Sequence, residues 1–233
     1  VFMAVGVPQG IKLGIPGEKL PGVLESMDLL RDYNMTGKAA VGRKVVVIGG
    51  GNAAIDAART AHRLGAASVT IVYRRTRDEM PAWGEEIEEA EREGVRMRML
   101  AAPIEIIARD GKVAGVKCQA MKLGDFDRSG RRRPEPKPDG EFTLDADMVV
   151  AAIGQRVELA PLLGGLAVKV DARGRMIANP ANGQTSVEWL FAGGDLLTGP
   201  SSVTEAIGGG ERAAAGIDKF LSGKDRAFWR KWV

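Results

Sequence analysis

The sequence has one cysteine, Cys118, in 233 residues. A lone thiol forms no internal disulfide, no CxxC redox pair and no four-cysteine metal site, so this stretch carries neither a thiol relay nor an iron–sulfur cluster of its own. Cys118 reads as a small apolar side chain on a strand. Histidine is equally scarce: His62 stands alone, seven residues after Ile55 along a helical segment, and reads as a packed or surface side chain rather than a proton donor. The carboxylates form no spaced pair, and neither a nucleophile elbow nor a metal-ligand cluster is present. No catalytic side chain and no metal ligand are assigned. No apolar run approaches the roughly 20 residues that span a bilayer, and the opening Val1-Phe2-Met3-Ala4-Val5-Gly6 stops at Pro8, too short for a signal's apolar region. A cytoplasmic location is expected. Charge of one sign is also lacking: 33 Lys and Arg face 30 Asp and Glu, a net +3 that calls for neither a nucleic-acid nor a membrane partner. There is no internal repeat.

What is present is a 45% hydrophobic composition, enough for a sizeable core, and two glycine motifs. The first, Gly49-Gly50-Gly51-Asn52-Ala53-Ala54, follows the apolar run Val45-Val46-Val47-Ile48 and opens a helical segment over 52–64. A strand over 69–73 completes a βαβ unit of about 30 residues, the unit of a parallel sheet. An acidic helix over 84–93, a strand over 95–99, and a hairpin of 104–108 and 113–121 joined by Asp110-Gly111 follow. Residues 124–140 are rich in Pro, Gly and charge and read as a loop; Arg131-Arg132-Arg133 is its solvated tip or, alternatively, a dock for an acidic partner subunit. An apolar strand over 148–153 ends at Gly154. Upstream, 8–21 is punctuated by Gly and Pro and 23–33 has weak helical spacing. Downstream, 166–170 and 175–178 are short strand candidates, 189–192 reads as a buried strand, and 203–221 reads as a helix with Val203, Ile207, Ala214, Ile217 and Leu221 on one face. The tail carries Phe228, Trp229 and Trp232, whose apolar area is expected to dock on the body or on a neighbour. These shifts divide the chain into 1–40, 41–154 and 155–233.

Within the first motif Gly49 permits the tight turn, Gly51 lets the backbone approach a dinucleotide's phosphates, and Ala54 allows close helix packing. The N–H groups of Asn52 and Ala53 point at the pyrophosphate from the positive end of the helix. After the second strand, where a carboxylate would bind a ribose 2′-hydroxyl, the chain has Tyr73-Arg74-Arg75-Thr76-Arg77. A 2′-phosphate suits guanidinium forks, so Arg74 and Arg75, with Arg77 in reserve, favour NADP(H). The second motif, Gly193-Gly194-Asp195, ends a strand with an acidic side chain able to accept a hydrogen bond from a ribityl hydroxyl. Ser202 and Glu205 have capping-box spacing, and the N–H groups of Val203 and Thr204 face an electron-rich flavin edge, or merely begin a helix.

Taken together, Ile48-Gly49-Gly50-Gly51-Asn52-Ala53-Ala54-Ile55-Asp56, Tyr73-Arg74-Arg75 with Glu79-Met80-Pro81-Ala82, the turn Ala152-Ile153-Gly154-Gln155, and Gly194-Asp195 through Gly199-Pro200 to Glu205-Ala206 resemble the small (β) subunit of NADPH-dependent glutamate synthase and related flavoproteins, over essentially the whole chain. The resemblance implies an α/β fold of two Rossmann-like dinucleotide-binding domains, FAD/NAD(P)-binding and glutathione-reductase-like, with the NADPH domain inserted in the FAD domain. By it 1–40 and 155–233 are FAD-domain portions, 41–154 is the NADPH domain, and Gly49, Gly50, Gly51, Gly154, Gln155, Gly194 and Asp195 count among the cofactor contacts. Hydride passes from NADPH to FAD and electrons go on, through iron–sulfur clusters outside this chain, to a partner redox subunit like the large subunit of glutamate synthase. Family members carry the cluster cysteines and a first FAD fingerprint upstream of the position of Val1. Neither occurs here, so the chain is expected to be a fragment, inactive in isolation. Val5 stands where the family's strand ends in Ala-Thr-Gly. Two other readings stay open: a nucleotide-binding docking module without turnover, and a pyridine nucleotide disulfide reductase whose redox pair lies elsewhere.

Overall fold

The computed structural model describes residues 1–127 and 130–224; the aromatic tail residues Phe228, Trp229 and Trp232 lie outside them. In chain order the elements begin β1 (Phe2–Met3), β2 (Gln9–Gly10), β3 (Val23–Glu25), α1 (Ser26–Thr36), β4 (Lys44–Ile48), α2 (Asn52–Arg63), β5 (Ser68–Tyr73), α3 (Gly84–Arg92) and β6 (Arg96–Met99). They continue β7 (Ala101–Arg109), β8 (Lys112–Phe126), β9 (Arg132–Asp145), β10 (Met148–Ala151), β11 (Gln155–Arg156), α4 (Ala160–Leu163), β12 (Phe191–Ala192), α5 (Asp195–Thr198) and α6 (Val203–Ser222). The chain forms two compact units: a host unit from Val1–Gln9 and the chain from Gln155 onward, and an inserted unit, Gly10–Gly154. The sequence placed the first junction between 40 and 41. In the structure 10–40 belongs to the inserted unit, because β3 pairs with β10 and extends that unit's central sheet.

The inserted unit is built on a parallel sheet ordered β3-β10-β4-β5-β6. Strand β4 shows why it forms: a β-branched run, buried on both faces, reads as continuous apolar sequence. Val45 and Val47 face the helices, packing with Ala54, Ile55, Ala57 and Ala58 of α2 and Ile87 and Ala90 of α3. Val46 and Ile48 face the other way, onto Ile106, Val113, Val116 and Cys118 of the antiparallel sheet β7-β8-β9. Each fully buried Ile or Val side chain contributes about 1.5–3 kcal/mol. From β4 the chain steps outward to β5 and then β6, whereas β10 returns on β4's other side. The order therefore reverses between β4 and β10, and a ligand crevice is expected beyond the carboxyl ends of those two strands.

Two elements differ from the sequence reading. Residues 23–25 form strand β3 rather than the start of a helix, and α1 begins at Ser26. The stretch read as a loop is largely strand: β8 runs to Phe126 and β9 starts at Arg132. Pro134 and Pro136 lie opposite Leu123 and Met121 at the edge of the three-stranded sheet. Proline lacks an N–H, so it is tolerated on an edge strand and denies that edge to a further strand.

In the host unit β1 pairs in parallel with β12, above a core of Leu159, Met176, Leu190, Ala192 and Leu196. The expected strands at 166–170 and 175–178 reduce to two isolated bridges, Val170 to Met176 and Ala178 to Thr185, and Trp189, expected in a buried strand, is exposed. Helix α6 forms where the sequence places it, but its buried face is the small-residue one: Ala213 and Gly216 are buried, while Val203 and Leu221 are 77% and 76% exposed. Any side chain at Gly216 would collide with the backbone of Asn182, so glycine here allows a contact that Val203, Ile207 and Leu221 of the expected stripe, all exposed, do not make, while Ile217 of that stripe is half-buried. Among the described residues no helix is long and apolar enough to cross a membrane.

Candidate dinucleotide-binding site

At the carboxyl end of β4 the chain turns on Gly49, whose φ of +148° strongly favours glycine. A side chain there would also strike the carbonyl oxygen of Ala152, just beyond β10. Gly49 donates its N–H to Val72 at 3.1 Å and Ala152 donates to Ile48 at 2.8 Å, so the turn is fixed to both neighbouring strands at the crevice. Gly50 is required for a different reason: an added Cβ would lie 2.5 Å from the Tyr73 ring. Gly51 has neither constraint. Its φ of −92° and ψ of 175° suit any residue, and an added Cβ would meet only Pro81 Cγ at 3.8 Å. The open space above it faces the start of α2, where the N–H groups of Asn52 and Ala53 take no acceptor among the described residues. Unpaired amides at a positive helix end beside uncrowded backbone make a cradle for a diphosphate. Ala54, fully buried, seats the helix on the sheet.

A strap over 76–83 borders the cradle. Thr76 and Glu79 form a reciprocal capping box, Tyr73 donates its hydroxyl to the Glu79 carbonyl at 2.7 Å, Ala82 N–H donates to Gly50 O at 3.2 Å, and Trp83 N–H donates to Asn52 Oδ1 at 3.0 Å. The sequence reading missed the side-chain roles of Asn52 and Tyr73; the Thr76-Arg77-Asp78-Glu79 spacing was the signal for the strap's capping box.

The structure separates the three arginines. Arg74 is exposed and makes no hydrogen bond or ion pair among the described residues. Arg77 is ion-paired with Glu91 of α3. Arg75 is only 4% exposed; its Nη2 lies 2.8 Å from Asp127 Oδ2 and its Nε donates to the Arg132 carbonyl at 2.7 Å. Arg75, expected to clasp a phosphate, instead has its guanidinium committed inside the fold, and among the described residues Arg74 is the cation at the end of β5 that makes no ion pair. At the end of β10, Gly154 has φ +133° and accepts from Ile11 N–H at 3.0 Å. Gln155 is the first residue of the host unit after the insertion.

The second motif lies in the host unit. Gly194, at φ +66°, turns the chain out of β12, and Gly193 sits so close to the Phe2 ring that an added Cβ would lie 3.0 Å from it. Asp195 Oδ1 accepts from Ser201 Oγ at 3.1 Å. Ser202 caps α6, accepting from Glu205 N–H at 3.2 Å while Glu205 Oε2 accepts from Ser202 N–H at 3.3 Å. Val203 and Thr204, the first residues of the helix, are exposed, with N–H groups that take no acceptor among the described residues. Cys118 stands apart from both motifs: burial pushes its thiol up to about 11, so it is an inert core side chain. Among the described residues no cluster of His, Cys, Asp and Glu is arranged to hold a metal ion.

A glycine turn, a free helix start and a topological switch point define an α/β dinucleotide-binding unit, set here within a second unit that carries its own strand-end glycine–aspartate turn. The chain belongs to the pyridine nucleotide-disulphide oxidoreductase family, whose profile matches residues 1–210. It is 43% identical over 224 residues to the NADP(+)-dependent formate dehydrogenase subunit beta of Moorella thermoacetica, covering 95% of this chain and 31% of that protein. It is 38% identical to the NADPH-Fe(3+) oxidoreductase subunit beta of Geobacter sulfurreducens (95% of this chain, 36% of that protein). The glutamate synthase [NADPH] small chain of Halomonas elongata is likewise 38% identical (95% and 49%). The chain thus spans about a third to a half of the length of these relatives. Among solved structures, FprA from Mycobacterium tuberculosis superposes with a TM-score of 0.81 at 22% identity, over 96% of this chain and 64% of that one. Thioredoxin reductase of T. acidophilum gives 0.67 at 23%, over 96% and 65%. The fold is shared with both.

Proposed function

We propose that this chain is the NADPH-oxidising portion of a FAD-dependent electron-transfer oxidoreductase of the glutamate synthase small-subunit kind, working in the cytoplasm and passing electrons to a partner redox subunit through iron–sulfur clusters outside it. The observation that carries the reading is the cradle at Gly51: open space and, among the described residues, two unpartnered amides and, at the end of the neighbouring strand, an unpaired Arg74. Such a set fits a dinucleotide whose adenosine bears a 2′-phosphate. Asn52 and Ala53 would hold the pyrophosphate, Arg74 the 2′-phosphate, and the turn after β10 with Gly154 the nicotinamide half. In the host unit Asp195 and the amides of Val203 and Thr204 fit one part of a flavin, its ribityl chain and electron-rich edge. The bound coenzymes supply the hydride chemistry, which needs orientation and electrostatics rather than a protein acid or base. The names of the relatives, each an NADPH- or NADP(+)-linked subunit or chain, support the choice of coenzyme and of a partnered complex.

The test is anaerobic NADPH titration of the full-length flavin-loaded polypeptide in which this chain occurs, since the chain spans only a third to a half of its relatives. The reading expects saturable coenzyme binding and bleaching of the flavin's visible absorbance. Binding without bleaching favours the docking module, and no binding contradicts both.

A further inference from the structure

We propose that the pair formed by buried Arg75 and partly buried Asp127 is a positioning device for coenzyme discrimination: it fixes the backbone that carries Arg74 and keeps Arg75 itself off the coenzyme. The inference rests on the NADPH reading above. Arg75 is fastened from two sides. Its guanidinium bonds Asp127, just past β8, and the carbonyl of Arg132, the first residue of β9. Its own carbonyl accepts from Leu100 N–H at 3.0 Å, and the Leu100 carbonyl accepts from Met121 N–H at 2.7 Å. Leu100 holds a φ of +52°, a conformation a leucine keeps only where its surroundings enforce it. The end of β5 is therefore tied by side chain and backbone to the outer half of the β8–β9 hairpin.

Two consequences follow. A phosphate approaching Arg75 would have to displace a carboxylate already paired with its buried guanidinium, and breaking such a pair is costly. Arg74, one residue earlier, has an exposed side chain without a partner among the described residues, so how well it meets a phosphate depends on how firmly its Cα is held. Releasing Asp127 loosens that hold without touching Arg74.

The experiment is equilibrium titration of the chain with NADPH and NADH, comparing wild type with R74A, R75M, D127N, D127E and the double variant R74A/D127N. Wild type prefers NADPH, and R74A loses that preference, a change of about tenfold or more. R75M and D127N lower the NADPH-to-NADH ratio at least about threefold while leaving NADH affinity unchanged, and D127E, which keeps the carboxylate, retains the ratio. Adding D127N to R74A lowers the ratio no further, because the pair acts through Arg74. The inference is overturned if D127N leaves the ratio at the wild-type value, raises it by freeing Arg75 for the phosphate, lowers NADH affinity in parallel, or adds to R74A. A wild type with no preference overturns the NADPH reading as well, and is recognised before any variant is compared.

Discussion

Gly49, Gly50 and Gly51 are adjacent and chemically identical, yet the structure assigns them different duties, and Gly51→Ser separates the duty to a ligand from the duty to the fold. At Gly51 the backbone is already in the extended region preferred at a helix N-cap, and beyond its chain neighbours the nearest described atom to a new Cβ is Pro81 Cγ at 3.8 Å. Serine is the better cap by a few tenths of a kcal/mol, and replacing glycine restricts the unfolded chain by about 0.4–1 kcal/mol. Stability should therefore rise by about 0.5–1.5 kcal/mol, or roughly 1–5 °C in Tm for a chain of this size. Coenzyme affinity should move the opposite way. The new side chain fills the cradle, and its hydroxyl takes an amide otherwise offered to the pyrophosphate. Losing one or two charge-assisted hydrogen bonds costs about 2–4 kcal/mol, roughly 30- to 1000-fold in Kd. Gly49→Ala is the control: it collides with Ala152 and needs a φ of +148°, so it lowers stability by about 2 kcal/mol or more. Thermal unfolding followed by circular dichroism and titration calorimetry with NADPH read the two effects. A Gly51→Ser protein that binds NADPH as wild type does, or that unfolds as early as Gly49→Ala, refutes the assignment.

Other outcomes follow from the same geometry. Cys118, with its thiol raised to about 11 by burial, should resist an aromatic disulfide reagent at neutral pH and react fully once denaturant is added; prompt reaction of the native protein would contradict its place in the core. Hydrogen bonds from Arg63 and then Arg59 hold the Glu93 carboxyl down at about 2, below its ordinary 4.5. A depressed carboxyl stabilises the fold above its unfolded value and loses that contribution as pH falls through the folded one. The stability gap between wild type and Glu93→Gln should therefore be constant above pH 4.5 and close toward about 2, and denaturant unfolding on both sides of that window checks it. Changing Pro134, Pro136 and Pro138 together to Thr restores backbone donors on the β9 edge, and sedimentation should then show more concentration-dependent self-association than wild type does.

The inserted unit was legible because its signals are local. An apolar run, a glycine turn and an alanine-rich amphipathic helix sit within about 30 consecutive residues, and α2 and β5 fall where they point. What escaped the reading depends on partners distant in sequence. Strand β3 is three residues long and exists because β10, more than a hundred residues on, pairs with it, so the junction at Gly10 could not be read from composition. Strand β9 hid behind prolines that an edge position tolerates. The three arginines look alike in sequence; Asp127, 52 residues from Arg75, distinguishes one of them. Helix α6 was read by its large apolar residues, whereas its packing uses Ala213 and Gly216.

On the proposed reading the start of α2 takes a pyrophosphate and Arg74 takes a 2′-phosphate. A crystal of the chain grown with NADPH tests it most directly. Diphosphate density is expected against the amides of Asn52 and Ala53 and a phosphate on the Arg74 guanidinium, with Arg75 still on Asp127. Density for the coenzyme elsewhere, or a 2′-phosphate seated on Arg75, would contradict it.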